Sequence, residues 1–176
     1  EEQLKRCSVD YFDNYLIHNI ATRETYDFVC KKLGVLEYLR EEKRKGRIIN
    51  IGFSFHGDVD LLKYILEDSQ WDLAVILMNA VDWHGVNNSR DLYALLCKHH
   101  IPVFVMEPLC GGRLANLPPH MSKRFRGARP GASDASWAFR WCASFENVVC
   151  IMSGPSCRAH LTENIGTFSD SHVSLT

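Results

Sequence analysis

Short, almost wholly apolar runs alternate along the chain with longer stretches in which apolar residues recur every three or four positions. The runs at 11–20, 48–53, 73–81, 101–106 and 148–152 are predicted as strands. Each is apolar at nearly every position, which predicts burial on both faces, as in a parallel sheet. The intervening segments predict helices. Residues 35–45 set Leu36 and Leu39 on one side and charges on the other. Asp58 caps a helix carrying Leu61, Leu62, Ile65 and Leu66; Ser89 caps the next, with Leu92, Leu95 and Leu96 as its buried stripe. Ser133 caps another, with Trp137 and Trp141 four residues apart, and a last helix covers 159–168.

Strand–helix alternation repeated in this way implies right-handed βαβ crossovers. Two architectures accept it, an open doubly wound sheet or part of a (β/α)8 barrel. No G-x-G-x-x-G follows any predicted strand, which disfavours the first. In a barrel, functional groups sit just after the strands. Here those positions hold His18-Asn19, Ser54-Phe55-His56, Asn79 to Asp82, Glu107 to Gly112 and Ser153 to Ser156. Five β/α units fall short of the roughly eight that close such a barrel. The expectation is an α/β fold, a partial (β/α)8 TIM barrel, forming a single incomplete domain over residues 1–176.

Composition narrows the function classes. Of 176 residues, 46% are hydrophobic and 23% charged, enough for an ordinary packed core. A net charge of -1 points to neither nucleic acid nor an anionic membrane surface. No apolar run reaches the roughly 18 to 20 residues of a spanning helix, and the charged start, Glu1 to Arg6, does not resemble a signal peptide. Seven cysteines without a C-x-x-C pair read as buried free thiols in a reducing compartment, not as a disulfide framework or zinc site. Cytoplasmic localisation and no metal ligands are the expectations.

Several segments together are similar to one family. Asp10-Tyr11-Phe12-Asp13-Asn14-Tyr15-Leu16-Ile17-His18-Asn19 resembles the fourth strand of an aldo-keto reductase, ending in that family's catalytic histidine. Gly46 to Gly57, with Gly52-Phe53-Ser54-Phe55-His56, resembles the fifth strand, and Trp71-Asp72 through Asn79-Ala80-Val81-Asp82 the sixth. Met106-Glu107-Pro108-Leu109-Cys110-Gly111-Gly112 resembles the seventh strand and its loop; Ser153-Gly154-Pro155-Ser156, with Leu161, Glu163 and Asn164, resembles the eighth and its helix. The resemblance covers strands four to eight. It is strongest to the bacterial and archaeal branch whose members often continue into a ferredoxin-like segment. The cysteine run of that segment is absent from these residues, so an iron–sulfur cluster is not supported.

The resemblance implies NADP(H)-dependent reduction of a small carbonyl compound. It assigns His18 to polarising the carbonyl, Ser54 to the nicotinamide carboxamide and Met106 to the nicotinamide face. Glu107, Leu109 and Gly112 line the pyrophosphate path; Gly154, Ser156, Glu163 and Asn164 surround the adenosine end. The family's catalytic aspartate, tyrosine and lysine belong to strands these residues do not include. Val75 stands where the family usually has a glutamine that holds the nicotinamide amide, and loss of such a buried hydrogen bond costs about 1–3 kcal/mol. Leu77, Ala80, Cys110 and His160 also depart from the usual types. The implied function is therefore an oxidoreductase in truncated, inactive form, or alternatively a non-catalytic remnant or accessory binding subunit. An unrelated barrel lyase or isomerase finds no metal cluster or phosphate-binding glycine loop to support it.

Local pattern alone gives blander readings. His18 reads as a hydrogen-bonded strand histidine, Gly111-Gly112 as a turn, Glu163-Asn164 as a solvated helix face, and Trp137/Trp141 as packing. His56 and His84 lack partners at ligand spacing. Lys43 to Arg47 complement a helix C-terminus. Lys123 to Arg129, between Pro118-Pro119 and Pro130-Gly131, reads as a loop that either covers the cofactor phosphates or lies free on the surface. Open sheet edges at the first and last strands predict self-association.

Overall fold

The computed structural model describes residues 1–169. Its strands are β1 (Phe12–Ile20), β2 (Ile48–Phe55), β3 (Leu73–Leu77), β4 (Val103–Met106) and β5 (Val148–Ile151), joined in one sheet in chain order. The helices are α1 (Glu2–Cys7), α2 (Arg23–Tyr26), α3 (Val35–Arg44), α4 (Val59–Asp68), α5 (Ser89–Lys98), α6 (Pro119–Ala128), α7 (Asp134–Ala143) and α8 (Arg158–Ser169). None is long and apolar enough to cross a membrane. The chain divides into two compact units: Glu1–Ile76 with Asp91–Val103, and Leu77–Arg90 with the chain from Phe104 onward.

In the first unit β1 pairs parallel with β2 from Phe12 opposite Ile48 to Ile20 opposite Phe55, and β2 pairs parallel with β3, Gly52 opposite Leu73 and Ser54 opposite Val75. β2 runs two residues further than its apolar pattern predicted, to Phe55, because Ile20 still pairs there. The core is Ile17, Phe53, Phe55, Ile65, Trp71 and Ile76, with the Phe53 and Trp71 rings 4.8 Å apart. Asp58 caps α4 by accepting from Leu61 N, and Leu61, Leu62, Ile65 and Leu66 form its buried face as expected. On α5, Leu92 and Leu96 are buried, whereas Leu95 is only half-buried.

Burial of every strand on both faces does not hold. On β1 Asp13, Asn14, His18 and Asn19 are exposed, and on β5 Val149 is exposed. Both strands stand at the ends of the sheet order and pair on one side only. The stretch after β1 holds a feature the sequence pattern does not announce. There α2 runs on into a π-helical turn, Asp27–Lys32. Tyr26 is fully buried against it and donates to Asp68 at 2.6 Å, while Lys31 bonds both Asp68 and Tyr64.

Glu42, buried on α3, accepts from Arg47 at 2.8 Å. The hydrogen bonds from Arg47, with a smaller one from Lys45, hold its carboxyl at about 2, below its ordinary 4.5, against the opposing effect of burial. A carboxylate whose folded pKa is depressed contributes stability above its unfolded pKa and loses it as pH falls through the folded one. Stability should therefore decline between pH 4.5 and about 2 more steeply in the natural chain than in Glu42→Gln. Urea midpoints measured across that window test it; parallel curves would remove Glu42 from the acid transition.

In the second unit Met78 N donates to Met106 O at 3.1 Å and Met152 N to Val105 O at 2.9 Å. α7 supplies the centre of this core through Ala135, Ala138, Phe139 and Cys142, with Phe139 against Phe168 of α8 at 5.5 Å. Trp141 meets Trp83 at 5.4 Å and Phe145 at 4.8 Å, so it packs as expected, and Trp137 stacks on Phe125 at 5.3 Å. All seven cysteines are free, but only Cys30 and Cys142 are buried; Cys7 and Cys157 are exposed. Burial pushes the Cys142 thiol up to about 12 and the Cys30 thiol up to about 11, which keeps both protonated.

Other features of the second unit differ from the sequence pattern. The predicted strand at 73–81 stops at Leu77, because the Asn79 side chain takes Val81 N and Asp82 N and turns the backbone out of the sheet. Ser89 is the first residue of α5 rather than a residue before it, and its hydroxyl donates to Leu77 O at 2.8 Å. The basic segment from Lys123 is not a loop but most of α6. Pro119 opens this helix, where a missing N–H costs nothing, and Ser122 fastens it by donating to Asp134 at 2.6 Å.

Candidate functional site

The chemistry-bearing residues fall into two groups, one in each unit. In the first unit, Ser54 sits near the end of β2, 5% exposed, opposite Val75 on β3. Residues two apart on a strand share a face, so Ser54 and His56 point the same way. Ser54 Oγ and His56 Nε2 are 3.1 Å apart. The β1–β2 register shifts between Ile17 and Ile20, and Asn19 takes a left-handed backbone with φ 60°. Such a bulge re-aims the side chains beside it. Here His18 lies edge-on to His56 with ring centroids 6.4 Å apart. His56, which has no partner at ligand spacing in the sequence, thus has two neighbours in space. The spacing S-x-H on a strand was the available signal for the first.

In the second unit the segments after β4 and β5 and the start of α8 enclose a cleft of about 760 Å³. Met106, Glu107, Leu109, Gly112, Gly154, Ser156, Glu163 and Asn164 all line it. Several are held by bonds across the cleft wall. Glu107 accepts from Gly111 N at 2.7 Å, Asn164 donates to Ser153 Oγ at 2.9 Å, and Ser156 pairs with His160 at 3.2 Å. Ser133 caps α7 by accepting from Ser136 N and donates to Glu163, so the cap joins the site. Lys123 to Arg129 contribute no lining residue to this cleft.

Beneath the cleft lies Asn79, fully buried. Its amide donates to Glu107 O at 3.1 Å and to Asp82 at 2.9 Å, and Asp82 in turn accepts from Asn87. Glu107 and Cys110 both adopt left-handed backbone, with φ 56° and 50°. Asn79 therefore anchors the turn from which Glu107 enters the cleft. From the sequence it reads only as one of several polar residues after a strand, since its partner is a backbone atom 28 residues away.

The cleft lining combines glycines with hydroxyl, amide and carboxylate side chains. Built Cβ atoms at Gly112 and Gly154 meet nothing within 4 Å, so those positions leave room beside the backbone for a ligand. Among the described residues no three His, Cys, Asp or Glu side chains converge as metal ligands.

A family model, the Aldo/keto reductase family, matches residues 1–174. The chain belongs to the aldo/keto reductase family. An aldo-keto reductase of Mycobacterium avium is 29% identical over 168 residues, 96% of this chain and 54% of that protein. Among solved structures, the holo form of an aldo-keto reductase from Bacillus halodurans superposes with a TM-score of 0.74 at 20% identity, covering 99% of this chain and 60% of the other. A thermostable aldo-keto reductase bound to the inhibitor epalrestat gives a TM-score of 0.72 at 26% identity, over 94% and 57%. The chain thus spans about half the length of the curated aldo-keto reductase it matches. Its five-stranded α/β sheet corresponds to part of an aldo-keto reductase barrel.

Proposed function

We propose that these residues form the cofactor-binding part of an NADP(H)-dependent reductase of small carbonyl compounds. One observation carries the reading: eight of the nine residues assigned to the dinucleotide, Met106 to Asn164 but not Ser54, line a single cleft although 58 positions separate the first from the last. In this reading Glu107, Leu109 and Gly112 follow the pyrophosphate, while Gly154, Ser156, Glu163 and Asn164 surround the adenosine. Met106 lies against the nicotinamide, Ser54 bonds its carboxamide, and His18 polarises the substrate carbonyl. Bound NADPH supplies the hydride; the protein supplies position and charge.

Turnover is assigned to a complete barrel, because the family's aspartate, tyrosine and lysine have no counterpart in these residues. Acting alone, the chain binds cofactor without catalysing reduction. Val75 favours a second reading, an accessory subunit that keeps the scaffold and not the reaction, since it offers the nicotinamide no hydrogen bond. Self-association through the edges of β1 and β5 belongs to the same proposal.

Titration of the 176-residue chain with NADPH, followed by quenching of tryptophan fluorescence, tests the reading. Saturable binding is expected in the micromolar range, weakened about tenfold or more by Gly154→Trp, which fills the cleft. A folded chain that shows no saturable quenching would overturn the cofactor reading and leave the family membership as a statement of ancestry.

A further inference from the structure

The Ser54–His56 pair carries more than the proposed contact between Ser54 and the nicotinamide carboxamide, on which the following rests. A hydroxyl and a neutral imidazole can share one hydrogen bond in either direction. Burial decides between them here. Ser54 is 5% exposed, its register partner on β3 is Val75, and His56 Nε2 is the only hydrogen-bond partner its oxygen has among the described residues. If Nε2 carried the proton, it would donate to Ser54, and the serine's own O–H would have no protein acceptor among the described residues. A donor without a partner is the costlier of the two arrangements. Donation by Ser54 instead leaves only spare lone pairs on its oxygen, the lesser penalty.

We infer that His56 is a positioning residue that takes the Ser54 proton on Nε2 and thereby makes the Ser54 oxygen a pure acceptor. Its own proton sits on Nδ1. A carboxamide presents an N–H end and a C=O end, and a pure acceptor bonds only the first. With Val75 in place of a polar side chain, this bond is the contact that selects one orientation of the nicotinamide ring substituent. The polarity of Ser54 therefore sets which end of the carboxamide it holds. His56 acts through Ser54, without touching the ring.

Two measurements on the full 176-residue chain test this. Long-range ¹⁵N–¹H spectra at alkaline pH, with the His56 signals assigned by their loss in His56→Phe, report the tautomer without any ligand. The Nδ1–H form is expected in the natural chain, with a shift toward Nε2–H, the form a free imidazole favours in water, in Ser54→Ala. An Nε2–H tautomer in the natural chain overturns the inference. The second measurement compares the affinity of NADPH with that of reduced 3-acetylpyridine adenine dinucleotide phosphate, which keeps the carbonyl and lacks the amide N–H.

A preference for NADPH of about tenfold is expected from one such bond. It should collapse to under about twofold in both Ser54→Ala and His56→Phe. Collapse in Ser54→Ala with full preference in His56→Phe would overturn the role of His56 and leave the Ser54 contact standing. Equal affinity for the two dinucleotides in the natural chain, or no binding of either, would overturn the Ser54 reading itself and this inference with it.

Discussion

Gly52→Val is expected to leave no cooperative unfolding transition, and Gly52→Ala to lower stability by about 3 kcal/mol, at the upper end of overpacking costs. Gly52 lies in β2 opposite Leu73 of β3. A Cβ built there would stand 2.6 Å from Leu73 Cγ and 2.7 Å from Leu73 O. The side-chain clash alone is relieved by a rotamer change. The carbonyl is not, because it belongs to the neighbouring strand, and Leu73 itself is 2% exposed within the core. Relief therefore requires β2 and β3 to separate next to the paired residues Ser54 and Val75. Urea denaturation followed by the fluorescence of Trp71 measures the loss. A change below about 1 kcal/mol in Gly52→Ala would mean that the strands can part at small cost.

The second large effect is expected at Asn79. Asn79→Ala strands the Val81 and Asp82 N–H groups and the Glu107 carbonyl together, and should lower stability by about 3 kcal/mol. Asn79→Asp keeps the acceptor for the two N–H groups but loses both donated bonds and sets a carboxylate 2.9 Å from Asp82 where the amide had been. It should cost nearly as much. NADPH affinity is expected to fall in both variants, because the turn that carries Glu107 loses its anchor. If both unfold at the natural urea concentration, water replaces the amide and Asn79 is not the anchor described.

How far the sequence reaches depends on the range of the interaction that fixes each feature. The α4 cap and stripe were legible from Asp58 to Leu66, since a cap and its helix lie within one turn of each other. The cleft residues were legible only through likeness to a family, because nothing local distinguishes Glu107 or Asn164 from surface polar groups. The basic run from Lys123 was misread from its charge and flanking prolines, although a proline at the first helical position is itself a start signal. β1 was read as buried on both faces along 11–20, whereas Asp13, Asn14, His18 and Asn19 are exposed, as its place at the end of the sheet order allows. The Ser54–His56 bond needed only the period-two rule; the approach of His18 needed the bulge at Asn19, which apolar pattern does not encode.

The turn after β4 has a bearing on protein engineering. Between Glu107 and Gly112 four residues, two of them non-glycine, hold left-handed backbone. Each non-glycine residue there stores about 1 kcal/mol or more of conformational strain. A design campaign that scored only thermal tolerance would be drawn to replace Glu107 and Cys110 by glycine. At Glu107 that gain would remove the carboxylate that fastens Gly111 and borders the cleft. Thermostability and ligand recognition are thus in competition at a single peptide turn, and selection for one in the laboratory would be expected to erode the other.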